Sequence, residues 1–258
     1  MADCDNFAGN CLFRNMKFAI IAAGEGSRLA QEGVERPKPL VSVGGEKLID
    51  RLTRIFAENG AEEIIVICNE KMREVRRHLE LMREKGVGSR RVPLQLVVKT
   101  TPSSMHSMYE ISRLLKGAPF CLTTVDTIFR EDEFSVYIAQ LKQAMLAGSE
   151  DGMMAVTDYI DDEKPLYIST DADLGITGFH DTMTDGCRYI SGGIYGLSPK
   201  SLATLQRCID RGESRMRNFQ RALVADGLRL KACPFSKILD IDHKEDIAKA
   251  EAFLGGSD

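Results

Sequence analysis

The chain has no apolar run long enough to span a bilayer, no CxxC pair, no spaced histidine pair and no large excess charge of one sign, and each gap removes a class of function. A transmembrane helix needs roughly 20 consecutive apolar residues, so no membrane partner is expected. The formal net charge is −4 over 258 residues, without the basic surface that nucleic acid selects, so no nucleic-acid partner is expected either. Arg73, Arg76 and Arg77, and then Arg90 and Arg91, read as a solvated helix face and a basic loop, with an anion site as the alternative. Cys4, Cys11, Cys68, Cys121, Cys187, Cys208 and Cys233 are an odd set without zinc or redox spacing. Cys68 and Cys121 lie inside apolar runs, where a thiol acts as a small buried hydrophobe, and a reducing cytoplasm is the simplest setting. His78, His106, His180 and His243 lack metal-ligand spacing. Residues 1–15 lack the basic start, apolar stretch and cleavage pattern of a secretory leader and are expected to be an N-terminal extension.

What is present is an ordinary composition, 43% hydrophobic and 28% charged, and one information-dense stretch, residues 16–40, MKFAIIAAGEGSRLAQEGVERPKPL. Residues 18–22 are continuously apolar, as in a parallel strand buried on both faces. Gly24 and Gly26 break the run. Without Cβ atoms they permit positive φ and let backbone N–H groups approach an anion, and Ser27 and Arg28 follow where a helix can begin. Lys38 is held between Pro37 and Pro39, a stiff backbone from which an ammonium can be aimed at low ordering cost. A P-loop, GxxxxGK[ST], is absent, and the dinucleotide fingerprint GxGxxG fails because Leu29 stands in the third glycine's place.

Apolar strands and striped helices then alternate. Residues 62–68 (EEIIVIC), 92–98 and 120–125 read as strands; the stripes Leu48, Ile49, Leu52, Ile55, Phe56 and Met105, Met108, Ile111, Leu115 read as helices. Such alternation implies a three-layer, Rossmann-like α/β fold: a mostly parallel mixed sheet with helices on both faces. Residues 16–258 suffice for a single domain, whose pattern divides it into halves over about 16–150 and about 151–258. Residues 153–156, 166–168 and 175–179 are short extended pieces expected to pair antiparallel. Gly192 and Gly193 interrupt a strand, which marks either close packing or the approach of a ligand. Asp126 ends the strand at 120–125, at the edge where open α/β sheets bind ligands, with a turn cap as the alternative. Asp240 and Asp242 alternate, so along a strand both carboxylates face one side; Asp242 with Glu245 also has capping-box spacing.

Two blocks, Ala22-Ala23-Gly24-Glu25-Gly26-Ser27-Arg28-Leu29 and Pro37-Lys38-Pro39-Leu40, resemble the signature of the nucleotidyltransferases that join a nucleoside triphosphate to a sugar phosphate or related phosphate. The resemblance implies the nucleotide-diphospho-sugar transferase fold, a nucleoside triphosphate and a phosphorylated small-molecule acceptor as partners, and Mg²⁺ as cofactor. It implies that residues 22–27 bind the nucleotide, with Ser104 in the segment that related enzymes set near base and ribose. It further implies that Arg28 neutralises the β- and γ-phosphates, Lys38 stabilises the α-phosphate, and Asp126 ligates the metal with Asp240 or Asp242. The half over about 16–150 then becomes the nucleotide-binding half and that over about 151–258 the acceptor-binding half, with Gly192 and Gly193 as candidates for acceptor contact. Glu163-Lys164-Pro165 is similar to a sugar-phosphate-binding triplet but lies too far upstream of Gly192, and is expected to be a turn. The function implied is nucleotidyl transfer to a sugar 1-phosphate. A cytidylyltransferase acting on phosphocholine or a phosphonate is the second reading, and a catalytically silent nucleotide-sugar-binding regulator the third. Homo-oligomerisation is left open.

Overall fold

The structure, a computed structural model, describes residues 16–256. Cys4, Cys11 and the expected N-terminal extension lie outside the described residues. Strand β1 (Lys17–Ala22) shows why its apolar run is unbroken. Phe18, Ile20 and Ala22 enter one hydrophobic core, while Ala19 and Ile21 enter a second core on the other face of the sheet. With period-two alternation and both faces covered, no position is left for a polar side chain. A short helix α1 (Ser27–Gln31) follows, then a single 3-10 turn at Lys38–Leu40 and a small hairpin of β2 (Ser42–Val43) and β3 (Glu46–Lys47). Helix α2 (Leu48–Glu58) buries the expected stripe and stops at Asn59, with Gly60 at φ 80°.

Strand β4 (Glu63–Cys68), helix α3 (Arg73–Lys85), strand β5 (Leu94–Val98), helix α4 (Ser104–Leu115) and strand β6 (Phe120–Thr124) complete the parallel part, in the spatial order β5, β4, β1, β6. Helices α2 and α3 pack into the first core and α4 into the second, which gives the expected layers on both faces. Phe18 and Phe56 lie 4.8 Å apart, and Phe56 and Phe134 5.7 Å, joining β1 and α2 to the helix Glu131–Ala147. Truncating one such ring costs about 3–5 kcal/mol.

The chain continues through β7 (Thr127–Ile128), α5 (Glu131–Ala147), β8 (Gly152–Thr157), β9 (Tyr167–Thr170), β10 (Ile176–His180), β11 (Cys187–Leu197), α6 (Ser201–Asp210), α7 (Met216–Ala225), β12 (Leu230–Pro234), β13 (Leu239–Asp240) and α8 (Lys244–Leu254). Strand β11 pairs antiparallel with β6, so one sheet runs through both halves. The extended pieces at 166–168 and 175–179 pair antiparallel as expected, but β8 is antiparallel only to β11 and runs parallel to β12, because β12 returns after two helices as a crossover. The register of β11 against β8 shifts between Ser191 and Tyr195, where Gly193 adopts φ 73°. Among the described cysteines Cys68, Cys121, Cys208 and Cys233 are buried free thiols. Burial pushes Cys68 and Cys233 up to about 11, so they serve as packing groups.

Candidate active site

All the parallel strands end on one side, and the residues just past their ends enclose a cavity of about 410 Å³. Ala23, Gly24 and Gly26 come after β1, Asn69 after β4, Thr100 to Ser104 after β5, and Asp126 after β6, with Lys38 at the inner wall. The two loop glycines differ. Gly26 has φ 61°, and a Cβ there would meet the Lys38 Cβ at 3.0 Å, so both the backbone and the close approach of Lys38 exclude a side chain. A Cβ on Gly24 would meet nothing within 4 Å, so its smallness answers to open space in the cavity wall rather than to packing. Ser27 opens α1, and Glu25 pairs with Lys71 at 3.0 Å outside. Ser104 is the first residue of α4; Ser103 caps that helix and its Oγ pairs with His106 Nδ1 at 2.9 Å, so His106 serves the cap.

Lys38 is only 7% exposed, and its Nζ donates to Asp126 Oδ2 at 2.6 Å and to Asp242 Oδ1 at 2.7 Å. Burial works against its charge, but Asp126 and Asp242 outweigh it and hold the ammonium above the usual lysine value. Asp242 is likewise opposed by burial, yet Lys38 and Arg28 keep its carboxyl below the usual range. The strand β13 that delivers these aspartates covers only Leu239–Asp240, pairing Asp240 with Thr127, so strand alternation does not govern where Asp242 points. Nor is Asp242 the helix cap. Asp246 Oδ2 accepts from the Asp242 and His243 backbone N–H groups at 3.0 and 2.7 Å, in place of the expected Asp242–Glu245 spacing, which frees the Asp242 side chain. Burial and then repulsion by Asp126 and Asp242 push the Asp240 carboxyl up to about 8; its side chain keeps a solvent-open face, so the like charges are the firmer cause. Asp126 Oδ1 is buried without a hydrogen-bond partner. No preformed cage of three or more His, Cys, Asp or Glu side chains is present among the described residues.

Beyond Lys38 lies a second cavity of about 380 Å³, bounded by Arg28, Tyr159, Asp162, Gly192, Asp240 and Lys249 among others. Arg28 faces this side, its Nη1 donating to Asp242 Oδ2 at 2.9 Å, rather than the glycine-loop cavity. Gly192 lines the second cavity, but a Cβ there would collide with Ile238 and come within 3.1 Å of the Ala155 carbonyl, so packing accounts for it. Gly193 is required by its backbone conformation, and its carbonyl accepts from Thr123 Oγ1 at 3.1 Å. Lys164 is in a turn, where its N–H donates to Asp162 Oδ1 at 2.8 Å, and it lines a separate groove with Arg217 and Arg221. Sequence reasoning missed Asn69, Thr100 and Thr101. Asn69 carries the signal that found Asp126, a first polar residue just past a buried parallel strand, whereas Thr100 and Thr101 stand behind the exposed Lys99 and carry no such signal.

A glycine loop and a charged cluster at the carboxyl ends of parallel strands define an α/β protein of the nucleotide-binding class. More narrowly, the chain belongs to the family of MobA-like NTP transferase domains, whose model matches residues 18–224. Glucose-1-phosphate cytidylyltransferase of Salmonella typhimurium is 34% identical over 56 residues, 22% of this chain and 22% of that protein. CMP-5'-(3-aminopropyl)phosphonate synthase of Streptomyces rubellomurinus is 26% identical over 163 residues, 58% of this chain and 25% of that protein. The chain thus spans only about a quarter or less of the curated relatives it matches. The inositol-1-phosphate CTP transferase from T. maritima shares the fold, with a TM-score of 0.75 at 18% identity over 94% of this chain and 96% of that one. No helix among the described residues is long and apolar enough to cross a membrane.

Proposed function

We propose that the protein transfers a nucleotidyl group from a nucleoside triphosphate to the phosphate of a small acceptor, releasing pyrophosphate, with a sugar 1-phosphate as the first acceptor class. One observation carries this reading: a buried ammonium, Lys38, stands between two cavities and is held by carboxylates on both sides. An acceptor oxygen must attack the α-phosphorus in line with departing pyrophosphate, and both reactants are anions, so fixed cations and positioning do most of the catalysis. Residues 23–27 cradle the triphosphate, Ser104 borders base and ribose, and Lys38 meets the α-phosphate as charge gathers there. Arg28, half exposed, leaves Asp242 to meet the β- and γ-groups.

Transfer between two phosphate anions calls for a divalent cation, and the residues present fit one: Asp126 has an unpartnered buried oxygen, and Asp240 is crowded by carboxylates. Asp126 with Asp240 or Asp242 would hold a Mg²⁺, a hard cation that needs only one or two protein carboxylates, and it would supply positive charge to the phosphates.

A second reading, a cytidylyltransferase acting on phosphocholine or an aminoalkyl phosphonate, is favoured by the lining of the second cavity. Seven carboxylates border it, including Asp161, Asp162 and Glu163, against Arg28, His243 and Lys249 as bases. Asp162 pairs with no cation among the described residues. An ammonium beside the acceptor's phosphate suits such a wall better than a neutral sugar. Pyrophosphate release, measured for each nucleoside triphosphate against glucose 1-phosphate, inositol 1-phosphate, phosphocholine and 3-aminopropylphosphonate with magnesium, separates the two. Turnover of sugar phosphates alone supports the first, and turnover of amine-bearing acceptors alone the second. Absence of turnover throughout overturns both.

A further inference from the structure

Asn69 stands one residue beyond β4 and is 2% exposed. Its Nδ2 donates to the Ala23 carbonyl at 3.2 Å, while its Oδ1 accepts from Thr100 Oγ1 at 2.8 Å and from the Lys71 N–H at 3.0 Å. Ala23 follows β1 and Thr100 follows β5, so a single amide ties together the ends of three neighbouring parallel strands. The last rungs of the sheet ladder are Ala22 with Cys68 and Cys68 with Val98. Beyond these rungs the Lys99 N–H still donates to the Cys68 carbonyl at 2.9 Å, and past that bond the strand ends line the cavity. At that point the Asn69 side chain continues the connection that the ladder has dropped.

This tie reaches the triphosphate loop through peptide geometry. The Ala23–Gly24 peptide is trans and planar, so drawing its carbonyl toward Asn69 turns the Gly24 N–H to the opposite side. Gly24 has no side chain, and a Cβ built there would meet nothing within 4 Å. Across the cavity, Thr100 is the first residue of the wall that runs on to Ser104. We propose that Asn69 is a positioning residue for nucleotide binding, one that presets the Ala23–Gly24 peptide and the Thr100 wall before the ligand arrives. The inference rests on the reading that this cavity takes a nucleoside triphosphate. Preorganisation of this kind shows in triphosphate affinity and leaves the acceptor's KM alone.

The test uses the full chain and the nucleotide, from ATP, GTP, CTP, UTP and dTTP with magnesium, that most raises its thermal midpoint. Calorimetric Kd is then measured for Asn69→Ala, Thr100→Val and Thr100→Ser. Leaving a buried partner unpaired corresponds to about a tenfold weaker Kd for Asn69→Ala, with a smaller loss for Thr100→Val. Thr100→Ser keeps the hydroxyl and is expected to bind like the unaltered protein. Thr100 is exposed, so its two variants test the idea even if Asn69→Ala fails to fold. Unaltered affinity in a folded Asn69→Ala or in Thr100→Val overturns the inference, as does an equal loss in Thr100→Ser, or an acceptor KM that rises as much as the triphosphate Kd. If no triphosphate binds the unaltered protein, the functional reading falls, and this role of Asn69 with it.

Discussion

The two cavities on either side of Lys38 are made of different material. The first is assembled from residues that directly follow β1, β4, β5 and β6, and it is lined by glycines and hydroxyls. The second is assembled from the turn at residues 159–163, the bulged middle of β11 and the start of α8, and it is lined by carboxylates. The sheet fixes the first, because the strand ends cannot move without breaking the ladders that hold them. The second draws several of its carboxylates from the turn at residues 159–163 and the exposed start of a helix, which can change composition with less disturbance of a core. On the proposed function, the difference places the chemistry common to many acceptors at the strand ends and the choice of acceptor in the more variable wall, with Lys38 at the boundary of the two.

The largest expected effect therefore comes from Lys38→Ala, which removes the cation shared by the two regions. Loss of one preorganised charge at a reacting centre lowers turnover on the order of a hundredfold. It also takes the ammonium from Asp126 and leaves Asp242 with Arg28 alone, so the thermal midpoint should fall as well. Steady-state pyrophosphate release checks the first and calorimetry the second; near-normal turnover would contradict the role assigned to this residue.

Gly26 and Gly24 sharpen the contrast within the first region. Gly26→Ala forces an alanine into the left-handed conformation, a penalty of about 1–2 kcal/mol, and presses on Lys38. Stability and turnover should fall together. Gly24→Ala meets no protein atom, so the unfolding midpoint should hold while triphosphate Kd weakens. A drop in stability for Gly24→Ala would mean that the cavity is not open there.

The sequence made the first region readable because its rules are local. An apolar run in which Phe18, Ile20 and Ala22 face one core and Ala19 and Ile21 the other can only be a doubly covered strand, and the residue after it must sit at the binding edge. Asp126 was found that way, and Asn69 obeys the same rule. The arrangement of Asp240, Asp242 and Arg28 was not readable, because β13 owes its place to pairing with β7, which lies more than a hundred positions away in the chain. The local signals there were two-sided: the capping box is closed by His243 and Asp246 rather than by Asp242 and Glu245, and the glycine pair at 192–193 meets the packing alternative through Ile238, Ala155 and a bulge.

Asp240 and Asp242, two residues apart, should respond to pH in opposite senses. Asp240 is raised to about 8, so the folded metal-free protein holds a proton that the unfolded chain has released above its ordinary carboxylate pKa of about 3.9. Its contribution to stability therefore declines as pH rises from near 4 toward 8. Asp242 is lowered, so its contribution is complete above the ordinary carboxylate range and is lost only as pH falls through its depressed value. Unfolding midpoints of metal-free protein across that range should show a downward slope that Asp240→Asn flattens and that Asp242→Asn, which removes one of the two repelling charges, only lessens. A slope unchanged in Asp240→Asn would remove Asp240 as its source.

The smallest effect is expected on the far wall of the second cavity. Asp162→Asn removes one charge from a solvated loop and keeps an oxygen for the Lys164 N–H, so folding and triphosphate Kd should stay as they are. If the acceptor carries an ammonium, its KM should rise a few-fold, in keeping with the roughly 0.5–1 kcal/mol of a partly exposed charge pair. High salt should shrink that rise, since exposed charges are screened. If the acceptor is a neutral sugar phosphate, the same change should lower KM or leave it alone, because a carboxylate facing an anionic substrate is then relieved. The sign of a modest KM change in this variant thus separates the two acceptor classes, and a matching change in triphosphate Kd would mean that the cavities are not the separate regions their construction implies.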